Sequence, residues 1–233
     1  MTCYSKPRLR ARQLVLVIAL MMPVVATAID DIVLPPGFII EEYADVPNAR
    51  SLALGERGTV FVANRKGHSV YAVVAANGGT RTIRLAKGMN SPNGIAIYDG
   101  DLYVAEIDRV TRYADIEDHL HNVPDGEVLD IDLPSDRHHG WRYIGFGPDG
   151  KLYVSVGAPC NVCDEPEYAR IIRMDPDGSN RETFADGVRN SVGFTWHPAD
   201  GSMWFTDNGR DMMGDDMPPD ELNRADRPGL HFG

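Results

Sequence analysis

One hairpin pattern recurs four times in this chain, and it limits the fold more than any other feature. Each copy is a short apolar run, a turn that ends in glycine, and a second run rich in β-branched and aromatic residues. Arg50–Leu54 leads through Gly58 to Thr59–Ala63, and Asn93–Ile97 leads through Asp99-Gly100 to Asp101–Ala105. The apolar run ending at Phe146 leads through Gly147-Pro148-Asp149-Gly150 to Lys151–Val156, and Gly193–Trp196 leads through Gly201 to Ser202–Thr206. Glycine in such a turn supplies the positive φ that a tight reversal between twisted strands requires. The turn glycines Gly58, Gly100, Gly150 and Gly201 recur every 42 to 51 residues, the period of propeller blades.

Further strands follow the first three hairpins. The third strand of each repeat is predicted at Ser69–Val74, Arg109–Tyr113 and Arg170–Met174, and the fourth at Thr80–Leu85, Glu127–Leu133 and Glu182–Ala185. Four antiparallel strands per repeat with no helical periodicity between them describe an all-β propeller. A β-sandwich has no need of four copies of one hairpin. Pro35-Pro36-Gly37 ends a linker, and Phe38–Tyr43 reads as a strand that would complete a final blade. The fourth copy is expected to be cut off after its hairpin. About three and a half blades are then present, an open ring that points to a fragment or truncated product.

The first 28 residues read as a secretory signal peptide. Lys6, Arg8, Arg10 and Arg12 form a basic start, Leu14–Val25 is apolar, and Ala26-Thr27-Ala28 fits a cleavage site. The mature domain is then 29–233, in the periplasm or outside the cell, with no stable membrane insertion expected because the apolar run is short for a span; an uncleaved anchor is the alternative. Removing the signal takes away four cations and no acid, so the formal charge falls from −11 to −15. Such an acidic surface argues against nucleic acid and anionic membranes as partners.

In a propeller the residues that begin the inner strands and end the second strands meet on one rim. Here these are Arg50, Asn93, His138 with His139, and Arg189 with Asn190, joined by Asn64, Arg65, Glu106, the Cys160 loop, Asp207 and Asn208. The set predicts a polar ligand pocket. His139 is a candidate general base because imidazole titrates near neutrality. Arg189 is a candidate holder of an anion or of developing oxyanion charge. The acidic loop 207–216 offers oxygens for Ca²⁺, without EF-hand spacing. Cys160 and Cys163 admit a disulfide, two free thiols or a redox pair. Asp164 stands where a c-type haem site needs histidine, and a four-thiolate zinc site lacks its second pair.

At these residues the sequence resembles the glucose/sorbosone dehydrogenases, soluble six-bladed propellers that use pyrroloquinoline quinone (PQQ). The resemblance runs from about residue 33 to the end. Its motifs are Leu34-Pro35-Pro36-Gly37-Phe38, His139 followed by Phe146–Tyr153, Gly187-Val188-Arg189-Asn190, Trp204–Asp211 and Gly229–Gly233. The last two, with Gly157–Cys163, look most like the sorbosone dehydrogenase branch. The resemblance implies the N-terminal part of an oxidoreductase that passes hydride from a sugar or sugar aldehyde to PQQ, and then to an unidentified electron acceptor. It places His139 as base, Arg189 and Asn190 as PQQ contacts, and Asn93 near a polar cofactor contact. The main-chain carbonyls of Gly209 and Arg210 would hold Ca²⁺, with Asp207 a further metal candidate. His138 departs from the Asp often found before the base. The alternatives are a propeller lactonase with Ca²⁺ on Glu106, Asn93, Asn190 and Asp207, and a non-catalytic propeller.

Overall fold

The computed structural model describes residues 32–233, in two units divided between Glu42 and Tyr43. The expected signal peptide and its cleavage site lie outside the described residues. In the first unit, Phe38 N–H closes a turn onto Pro35 O at 3.2 Å. The strand expected at Phe38–Tyr43 does not form. A strand exists only where a neighbour completes its ladder, and no described residue pairs with this stretch. Phe38 and Ile39 stand exposed.

The second unit is all-β, four small sheets arranged as a propeller. The first sheet runs β1 (Ser51–Leu54), β2 (Val60–Ala63), β3 (Ser69–Ala76) and β4 (Gly79–Lys87), each antiparallel to the next. The second runs β5 (Gly94–Tyr98), β6 (Asp101–Ala105), β7 (Val110–Tyr113) and β8 (Glu127–Val128). The third runs β9 (Ile144–Phe146), β10 (Leu152–Val156), β11 (Arg170–Met174) and β12 (Glu182–Asp186). The fourth holds β13 (Phe194–Trp196), β14 (Met203–Asp207) and β15 (Glu221–Ala225). Strand β1 lies beside β5, and β5 beside β9, so the first strands of successive sheets share one axis.

The four turn glycines all take positive φ, between 70° and 85°. Asp99 (49°) and Gly100 (82°) both do so, the two-residue reversal whose twist matches its strands. The second strands differ from an ordinary half-buried strand. Every residue of β6 and of β10 is buried, because a blade packs against a neighbour on both faces and alternation is lost. Three apolar clusters result. Phe61, Val70, Ile95 and Val104 fill the space between the first and second sheets. Tyr103, Ile144, Val154 and Ile172 fill the next, and Tyr153, Phe194, Met203 and Phe205 the last. Each fully buried large side chain contributes roughly 1.5–3 kcal/mol.

Two stretches depart from expectation. The strand expected at Glu127–Leu133 stops at Val128, because Leu129 and Leu133 turn inward to join the second–third cluster. The fourth repeat extends beyond its hairpin. Strand β15 adds a third member, and Leu230–His231 (β16) pairs in parallel with the outer edge of β12. Neither has the alternation that marks a strand in sequence, since β15 is exposed along most of its length and β16 is only two residues long.

Candidate functional site

The segment before β9 carries His139 and is pinned from below by a buried cation. Arg142 is 1% exposed, and its guanidinium donates to Ile107 O at 2.9 Å and to Pro134 O. Burial pushes its pKa down to about 10. Its own carbonyl accepts Asn93 Nδ2 at 3.0 Å. Two atoms in this knot, Arg142 Nη1 and Asn93 Oδ1, have no hydrogen-bond partner among the described residues. Sequence reasoning overlooked Arg142. The signal was a charged residue inside the run Trp141–Phe146, where the inner strand should be apolar.

His139 itself adopts φ 48° and turns its ring back onto the chain leaving β10. Nδ1 lies 2.9 Å from Ala158 O. A carbonyl can only accept, so Nδ1 carries the proton, and in the neutral ring Nε2 keeps its lone pair. Burial, then the neighbouring His138 and Arg189 charges, push the imidazole below its ordinary value, against the opposite pull of the Ala158 hydrogen bond. The His138 ring centroid is 4.0 Å away. Gly157 makes the approach feasible. A Cβ there would stand 2.6 Å from His139 Cβ and 2.8 Å from its carbonyl.

Arg189 and Asn190 sit on the turn between β12 and β13. Their backbone N–H groups donate to the two oxygens of Asp207, at 2.8 and 2.6 Å, and Ala158 N–H donates to Arg189 O at 2.7 Å. Ala158 therefore links the histidine to the arginine turn. Asp207 is buried, and burial pushes its carboxyl up despite the two donors. The Arg189 guanidinium donates from Nε to Asn161 O (3.2 Å), from Nη1 to Asn208 O (2.8 Å), and from Nη2 to Asn161 Oδ1 (2.8 Å) and Asp211 (3.3 Å). One of its five N–H groups is left over. The Asn190 side chain is nearly buried and makes no hydrogen bond among the described residues.

The structure thus brings three expected residues together. His139, Arg189 and Asn190 line one cleft of about 300 Å³ with Arg137, His138, Trp141, Asn208 and the carboxylate-bearing Asp211. Asn93 lines an adjoining cleft of about 260 Å³ with Arg50, and Trp141 walls both. Arg65 stacks on Trp141, 3.8 Å from the ring centroid. Gly209 and Arg210 lie past the end of β14, and their carbonyls accept no hydrogen bond among the described residues. Gly209 N–H is held by Asp220 at 2.9 Å. Arg210 reaches a separate cavity of about 470 Å³.

Of the side chains expected to bind Ca²⁺ in a lactonase, two are otherwise engaged: Glu106 accepts Asn90 N–H and faces Arg109, and Asp207 anchors the 189–190 turn. Asn93 is tied to Arg142 through Nδ2 alone, and the Asn190 side chain makes no hydrogen bond among the described residues. Among the described residues no group of three or more His, Cys, Asp or Glu is gathered as for a metal. Cys160 and Cys163 are joined in a disulfide with Cα atoms 5.9 Å apart, which resolves the choice among their possible states.

No protein-family profile matches the chain. A protein of Borreliella burgdorferi described only as uncharacterised is 30% identical, over 85% of this chain and 55% of its own length. Among solved structures, the calcium form of a Trichoderma reesei enzyme of carbohydrate-active family AA12 superposes with a TM-score of 0.67 at 20% identity, over 80% of this chain and 56% of that one. The PQQ-bound aldose sugar dehydrogenase of Streptomyces coelicolor gives 0.64 at 21% identity, covering 84% and 65%. The holo PQQ domain of pyranose dehydrogenase from Coprinopsis cinerea gives 0.61 at 18% identity, covering 71% and 45%. These likenesses establish the propeller fold. The chain spans about half the length of the relatives it matches.

Proposed function

We propose that this chain belongs to an exported oxidoreductase that oxidises a sugar or sugar aldehyde with PQQ and Ca²⁺, in the manner of the sorbosone dehydrogenases. The observation that carries the reading is the state of His139. Its Nδ1–H is committed to Ala158 O, and its Nε2 is an unprotonated base in a cleft shared with Arg189 and Asn190. Export rests on residues 1–28, which lie outside the described part.

The donor set suits an anionic, planar group. Arg137 forms no ion pair among the described residues, the Asn190 amide is unpartnered, and Arg189 retains one N–H. A carboxylated ring would draw on these three groups, since charge-assisted bonds are the strong ones. The Gly209 and Arg210 carbonyls are hard oxygen donors of the kind Ca²⁺ takes. Asp207 serves better as the anchor of the 189–190 turn than as a ligand, because both its oxygens already accept N–H groups. PQQ, when bound, supplies the acceptor for two electrons and a proton equivalent. His139 Nε2 takes the proton of the substrate hydroxyl, and the Ala158 carbonyl holds the imidazolium that results. Trp141 gives the cleft an apolar wall against water.

The test is dye reduction with an aldose or sugar aldehyde, on the chain and on any longer protein that contains it. Turnover is expected only with PQQ and Ca²⁺ together, and His139→Gln should lower kcat by about 10²–10⁴. Full activity in His139→Gln, or lactone hydrolysis without PQQ in place of dye reduction, would sink the reading.

A further inference from the structure

Asn161 lies inside the ring closed by Cys160 and Cys163, and touches both other segments of the cleft wall. Its carbonyl accepts Arg189 Nε at 3.2 Å. Its Oδ1 accepts Arg189 Nη2 and the Asp211 N–H, both at 2.8 Å. Its Nδ2 donates to Asp211 O at 2.9 Å. The chemistry of these partners fixes which end of the amide is which, since only the oxygen can face two N–H donors and only the nitrogen can face a carbonyl.

We infer that Asn161 is a positioning residue, and that the Cys160–Cys163 ring holds it so that the Arg189 guanidinium stays folded against the cleft wall beside His139. The Arg189–Asp211 ion pair does not account for that orientation. Its carboxylate side chain is 70% exposed, and exposed pairs contribute little. Asn161 supplies two of the four bonds that hold the guanidinium, and it also fastens Asp211 in place. A four-residue disulfide ring restricts the backbone carrying this amide. Opening the ring releases the carbonyl and the side chain together. The consequence for catalysis rests on the reading above, in which Arg189 faces the reacting groups. The positional claim does not.

The experiment is NMR of the guanidinium protons of Arg189 in the chain, with Arg189→Lys used for assignment. A held guanidinium gives separate Nη proton signals, and a free one averages them by rotation. Asn161→Ala should speed that rotation by about tenfold, the size expected for one hydrogen bond to a charged group. Cys160→Ser/Cys163→Ser should speed it at least as much. Asn161→Asp keeps an oxygen for Arg189 Nη2 and Asp211 N–H, and should restore slow rotation, while Asp211→Ala should change it less than twofold. Backbone amide protection in β10 and β14 reports whether each variant is folded. Unchanged rotation in a folded Asn161→Ala variant overturns the inference, as does a folded Asn161→Asp variant that rotates as freely as the alanine. None of these readings needs PQQ or turnover, so failure here and failure of the dehydrogenase reading are told apart.

Discussion

The space between the second and third sheets and the rim above it are held together by opposite means. The inter-sheet space is filled by Tyr103, Val110, Ile144, Val154 and Ile172, whose partners are any apolar atoms that fill the volume. The rim is a chain of single polar contacts, from His139 to Ala158, from Ala158 to Arg189, and from Arg189 to Asp207 and Asn161. The first arrangement tolerates a change of shape and resists a loss of volume. The second tolerates little, because each contact is directional and specific, and a buried polar group left alone carries the whole cost of its lost hydration.

That contrast can be broken at four places. Phe61→Ala empties the first inter-sheet cluster and should lower stability by about 3–5 kcal/mol, read as a lower urea midpoint. If the loss were under about 1 kcal/mol, the packing described between those sheets would be wrong. Asp207→Ala strips two N–H donors of their acceptor, and should reduce stability by about 2–3 kcal/mol. The sharper expectation there is local, with amide exchange at Arg189 and Asn190 rising well before that of β10. Gly157→Ala sets a methyl group against His139 and should cost about 1–3 kcal/mol of strain. Its effect on any PQQ-dependent turnover should exceed its effect on the melting point, because it displaces His139, the proposed base, more than it disturbs the core.

The smallest effect is the pH dependence of His139. Its folded form takes up a proton less readily than the ordinary imidazole value, chiefly through burial. The unfolded chain then binds the proton first. Stability from this group is therefore present above the ordinary value and is lost as pH falls through it. The acid limb of a rate profile should likewise lie below that value, and NMR titration of the ring checks both. A limb above it would mean that His139 is not the base.

Much of this molecule is local in origin. The turn at Asp99-Gly100 demands positive φ at two successive residues, and neighbours along the chain decide that alone. The four hairpins, and hence the blades, follow from such turns and from runs such as Leu102–Ala105. His139, Arg189 and Asn190 were legible too, because inner strands that share an axis deliver their leading residues to one rim. Strands β15 and β16 were not, since one is mostly exposed and the other is two residues long, and each is defined only by the neighbour it meets. The working partners of the rim were equally hidden. Asn161 and Asp211 are 50 residues apart, Asn93 and Arg142 49, and Arg189 and Asp207 18. A polar atom bonds to whichever group the fold brings within about 3 Å. Composition and periodicity carry no record of that distance. The repeat, the turns and the rim shared by His139, Arg189 and Asn190 are therefore set along the chain. The tertiary structure decided which nitrogen of His139 carries the proton, that Asp207 anchors a turn, and that Asn161 grips Arg189.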